Sequence, residues 1–71
     1  MFALRMTLLF FLNGQQIGSD VTESARFVTV ADCEAFYNNP DFKTFIATEK
    51  GRQLYQRGAD TVTESHQCLV P

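Results

Sequence analysis

Three side chains have the types that bind metals or attack carbonyl carbons: Cys33, His66 and Cys68. His66 and Cys68 are two residues apart, so on an extended strand they point to the same side. With Cys33 brought alongside they would supply three zinc ligands, and Asp32 or Glu64 a fourth. The spacing lacks the close cysteine pair of structural zinc sites, which counts against a metal centre. A nucleophilic reading pairs Cys33, its thiolate favoured at a helix start, with His66 as base. Nothing in the sequence supplies an oxyanion hole, and 71 residues leave little room for a substrate pocket. Cys33 and Cys68 also suit a disulfide closing a long loop, or two buried free thiols. We expect no catalytic site, no metal and no cofactor.

The remaining ionisable groups carry no second constellation. Asp20, Glu23, Asp32, Glu34, Asp41, Glu49, Asp60 and Glu64 are scattered, as solvated surface is. Lys43, Lys50, Arg52 and Arg57 fall along one helical stretch, interspersed with Asp41 and Glu49. Phosphate loops, dinucleotide turns and calcium loops are all missing. The net charge of −2 and pI of about 5.1 offer no basic field for a phosphate backbone, which argues against nucleic acid as a partner. Membrane partners are equally disfavoured. There is no basic amphipathic helix, and the apolar run Met6 to Leu12 is far shorter than the ~20 residues of a spanning helix. As a signal peptide that run is short, and Asn13-Gly14-Gln15-Gln16 is no cleavage site; we expect it to be retained as structure.

What would position these residues is one small domain spanning 1–71, with 45% hydrophobic and 13% aromatic content. Phe2, Leu4, Met6, Leu8, Phe10 and Leu12 are all apolar, whereas Ala3, Arg5, Thr7, Leu9 and Phe11 are mixed. This alternation predicts a strand over Phe2 to Leu12 lying on a core. Asn13-Gly14 then predicts a two-residue hairpin turn. A second strand would start near Gln15, with Ile17, Val21, Ala25 and Phe27 facing the core and a bulge near Gly18-Ser19.

Thr29 is a good N-cap, with Asp32 in the first turn, and Val30, Cys33, Phe36 and Tyr37 line one helical face. Asp32, Glu34 and Asn38 line the other. Pro40 ends this helix near Asn38 and opens a second, capped by Asn39. Phe42, Phe45 and Ile46 give the second helix its apolar stripe, resumed by Leu54 and Tyr55, and Gly58 stops it. Gly51 weakens its middle, and a helix ending there with a strand over Gln53 to Gln56 is the competing reading. Thr61 to Val70 predicts a third strand, with Val62, His66, Cys68 and Val70 on the core side. The fold expected is an α+β two-layer domain: a three-stranded antiparallel sheet in β-β-α-α-β order, strand one central, with both helices on one face.

In that arrangement Leu9 and Phe11 lie on the side of strand one away from the helices. Either loop segments such as Gly58 to Asp60 or the C-terminal tail cover them, or they form an interface.

Three stretches together resemble a loose class of very short bacteriophage and bacterial proteins without assigned activity. They are Leu8-Leu9-Phe10-Phe11-Leu12-Asn13-Gly14, then Phe27-Val28-Thr29-Val30-Ala31-Asp32-Cys33-Glu34, and the terminal Cys68-Leu69-Val70-Pro71. The resemblance implies an accessory or inhibitor protein that binds a host protein, and carries no site residue with it.

Three functional readings result. The first is a non-catalytic interaction module, engaging a protein partner or a second copy of itself through Leu9 and Phe11, in the host cytoplasm if phage-type. The second is a structural domain stapled by Cys33–Cys68 and residing outside the cytoplasm. The third is a zinc or thiol site at Cys33, His66 and Cys68.

Overall fold

The computed structural model describes residues 1–71. Its elements are β1 (Phe2–Leu12), β2 (Gln15–Phe27), α1 (Val30–Tyr37), α2 (Pro40–Arg57) and β3 (Thr61–Leu69). The strands form one antiparallel sheet in the order β2-β1-β3, so the most apolar strand is central. This is the small α+β architecture that the patterning predicts.

Each junction has a local cause. Asn13 and Gly14 sit at φ 53° and 80°, the left-handed geometry that a two-residue hairpin needs. At the start of α1 the Asp32 amide donates to Thr29 Oγ1 at 3.0 Å. At the start of α2 the Asp41 and Phe42 amides donate to Asn39 Oδ1 at 2.9 and 3.4 Å, with Pro40 in the first turn, where its missing N–H costs nothing. Gly58, at φ 68°, closes α2: its own amide donates to the Tyr55 carbonyl and the Ala59 amide to the Leu54 carbonyl. The helix runs unbroken through Gly51, so the strand reading of Gln53 to Gln56 is wrong. A glycine costs a helix only about 1 kcal/mol. The salt bridge Lys50 Nζ–Glu64 Oε1 at 2.9 Å and the Gly58 cap hold the helix on both sides of it.

Both helices pack on the face of β1 that carries its even residues. Leu4, Met6, Cys33, Tyr37 and Ile46 make the buried cluster, with Phe27, Phe42 and Cys68 against it. Phe36 links Phe27 and Phe42 at ring distances of 5.3 and 4.7 Å, yet its own outer edge is exposed, as is Val30. Tyr55, expected in the stripe of α2, points to solvent at 88% exposure. Only eight of the 71 residues are buried, so the core is thin and needs support from elsewhere.

The second strand departs most from expectation. Register shifts fall between Phe10 and Phe11 and between Ala3 and Leu4, leaving Ile17 and Ala25 as the extra residues on β2. The first lies beside the predicted Gly18-Ser19 position; the second was not foreseen. Each extra residue inverts the side-chain parity downstream. Gly18, Asp20, Thr22 and Ser24 therefore face the helices, opposite Phe10, Leu8, Met6 and Leu4, and Val21 faces away at 57% exposure.

Candidate functional site

Cys33 and Cys68 are bonded, with Cα atoms 6.1 Å apart and 35 residues of separation. The bond ties the first turn of α1 to the end of β3, beside Leu4 on the central strand. In this form neither sulfur is a thiolate, so the chain offers neither the zinc triad nor the thiol nucleophile of Cys33, His66 and Cys68. No three His, Cys, Asp or Glu side chains converge as a metal cluster.

His66 has a different role. Its Nε2 lies 3.0 Å from Glu34 Oε2, and its ring stacks on Tyr37 at 3.6 Å, 15° from parallel. Lys43 Nζ lies 3.5 Å from the centre of the Tyr37 ring, on the face that His66 leaves free. The Tyr37 hydroxyl donates to Glu64 Oε2, and Lys50 pairs with the other oxygen of that carboxylate. Five polar side chains from α1, α2 and β3 thus lock around one buried tyrosine.

These contacts make the cluster a clasp, and the electrostatics follow from them. Burial, then the bond to Glu64 and the negative charge of Glu64 and Glu34, push the Tyr37 phenol up to about 12. Burial opposes ionisation of Glu64. The bonds from Tyr37 and Lys50, with the charges of Lys50 and Lys43, outweigh it and hold the carboxyl below its ordinary range. Both shifts move away from neutrality, whereas a general acid or base at pH 7 needs the opposite.

The other flank of the sheet is loosely covered. Between α2 and β2 runs a groove of about 230 Å³, floored by Met6, Leu8, Phe42, Phe45 and Ile46 and edged by Asp20 and Glu49. It exists because the inward residues of β2 are glycine or short polar side chains that fill little space. Two contacts cross it or close its end. Gln53 Nε2 donates to Asp20 Oδ2 at 3.2 Å, and the Arg57 guanidinium lies over the Phe10 ring at 4.5 Å, in room that Gly18 provides by having no side chain.

Leu9 and Phe11 lie where the parity of β1 predicts, on the sheet face without helices, and both are half-buried. Their neighbours are cross-strand: Ser19 and Thr63 beside Leu9, Gln16 and Thr61 beside Phe11. Val21 lies diagonal to Leu9. The Asp60 amide bonds the Phe11 carbonyl at 2.9 Å and Asp60 Oδ2 takes the Asn13 amide at 3.0 Å, so the Gly58–Asp60 loop joins the hairpin end. Farther along this face Arg5 pairs with Glu23 at 2.6 Å. The molecule measures 40 × 23 × 15 Å, and its shortest dimension accommodates one sheet and one helical layer. No helix is long and apolar enough to cross a membrane.

Sequence reasoning missed the groove and the tyrosine clasp. An alternative parity for β2 would have found the first: Gly18, Asp20, Thr22 and Ser24 share a side in the sequence. Comparison with family models, curated proteins and solved structures finds no match to this chain.

Proposed function

We propose that this chain is a non-catalytic protein-binding module that engages its partner through the open face of the sheet, with Leu9 and Phe11 as anchors. The observation that carries this reading is the one-sided packing. The central strand has apolar side chains on both faces, and the helices cover only the even one. Leu9, Phe11 and Val21 form a patch bordered by Gln16, Ser19, Thr61 and Thr63, an apolar centre with a hydrogen-bonding rim. A phage-type accessory protein directed at a host protein is one setting for such a module.

The disulfide favours a compatible second reading, a stapled domain working in an oxidising compartment. Closing a loop of 35 residues is worth about 4 kcal/mol in the chain-entropy model, a large fraction of the stability of so thin a core.

The test compares capture of partners from extracts of the source cells by the wild type, by Leu9→Ser with Phe11→Ser, and by Phe45→Ser in the groove. Circular dichroism checks that each variant is folded. Bands lost only with the Leu9/Phe11 pair support the open face. Unchanged capture by that pair, or loss only with Phe45→Ser, contradicts it.

A further inference from the structure

We propose that the free edge of β3 pairs with the β3 edge of a second copy, making a six-stranded sheet across a two-fold axis at Ser65. This goes beyond the binding reading above and uses the backbone edge of β3, which adjoins the Leu9/Phe11 patch at Thr61 and Thr63. Both outer strands, β2 and β3, expose an unpaired backbone edge. Such edges recruit other strands unless they are blunted. β2 is blunted by its two bulges at Ile17 and Ala25. β3 pairs with β1 in unbroken register from Thr61 to Leu69, and those nine residues contain no proline, lysine or arginine.

The sequence of that edge complements itself. Antiparallel pairing centred on Ser65 aligns all nine residues. Towards the helices, Glu64 meets the second copy's His66 and Val62 its Cys68. On the open face Thr63 meets Gln67 and Ser65 meets Ser65. His66 uses only Nε2 within its own chain, which leaves Nδ1 for the neighbour. Moving the axis to Glu64 would set two carboxylates against each other, and moving it to His66 would leave Glu64 opposite Cys68. A two-fold axis through the sheet keeps both helical layers on one side. The Leu9/Phe11 patches of the two copies then share one continuous open face.

Sedimentation velocity of the oxidised full chain tests this from about 1 to 100 μM, a range that detects dissociation constants down to the micromolar scale. Two variants reverse the edge: Thr63→Lys with Ser65→Lys and Gln67→Lys, and the same three positions changed to Glu. All three side chains are exposed. The wild type is expected to dimerise, each variant alone to stay monomeric, and their equimolar mixture to dimerise again. Recovery in the mixture shows that both variants are folded. Ser65→Lys alone is the milder check, expected to weaken the dimer about tenfold by placing two ammonium groups side by side. The Leu9→Ser/Phe11→Ser protein should dimerise like the wild type, so failure of the open-face reading is separate. A wild type monomeric throughout would overturn the proposal. So would a dimer that survives the triple lysine change, or one that the Leu9/Phe11 pair destroys.

Discussion

The two flanks of the sheet are built from opposite materials. On the β3 side each of Cys68, His66 and Glu64 meets a helical side chain with a specific bond: a disulfide to Cys33, a stack on Tyr37 with a contact to Glu34, and bonds from Tyr37 and Lys50. On the β2 side Gly18, Asp20, Thr22 and Ser24 give the helices little to grip, and a groove remains. The difference shows how a chain with eight buried residues can hold a fold. Covalent and polar contacts secure one flank, and the central strand carries the other. The groove on the other side and the rear face of the sheet are left without helical cover.

The contrast can be broken most severely at the disulfide. Changing Cys33 and Cys68 together to Ser should cost about 4 kcal/mol in the chain-entropy account and lower the melting temperature by roughly 15 °C or more, read by thermal circular dichroism. Next in size is Leu4→Ala, which empties a fully buried site beside Cys68. It should cost about 3 kcal/mol in denaturant unfolding, with the midpoint shifted and the slope unchanged.

Tyr37→Phe removes one bond from the clasp and should cost about 1 kcal/mol at neutral pH. It also sharpens the comparison through pH. A phenol held at about 12 when folded and near 10 when unfolded contributes stability that is complete below pH 10 and lost as pH rises towards 12. The variant should lack that alkaline loss. Glu64 has the opposite sign. Its lowered folded value means stability present above the ordinary carboxylate range and lost as pH falls through the folded value, and Glu64→Gln should flatten that acid limb. The smallest effect belongs to the loose flank. Phe45→Ser, at a side chain 57% exposed, should change stability by no more than about 0.5 kcal/mol, measured by the same unfolding curves.

The well-secured elements were also the legible ones. The parity of β1 is uninterrupted over eleven residues, so its two faces could be assigned from alternation alone. Asn13-Gly14, Thr29, Asn39-Pro40 and Gly58 act through their own backbone preferences, and each sits at the junction its type predicts. β2 was misread because alternation holds only between bulges. An extra residue at Ala25 sends Val21 outward while Phe27 stays in, and a single strand sequence contains no marker for the shift. The clasp was hidden for another reason. By sequence Glu34, Lys43 and Lys50 read as solvated helical charge; their partners His66, Tyr37 and Glu64 lie on other elements, and only packing brings them together. Cys33 and Cys68 could be placed on facing surfaces, but their separation is a property of the folded chain.

Native-state hydrogen exchange of the oxidised protein, followed residue by residue, tests the asymmetry most directly. The account predicts slow exchange, near the global unfolding limit, for the hydrogen-bonded amides of α1 and for those β3 amides that bond to β1. The bulged strand β2 should exchange through easier openings. Reduction of the disulfide should speed α1 and β3 far more than β2. Equal protection in β2 and β3, or a reduction effect spread evenly over the sheet, would contradict it.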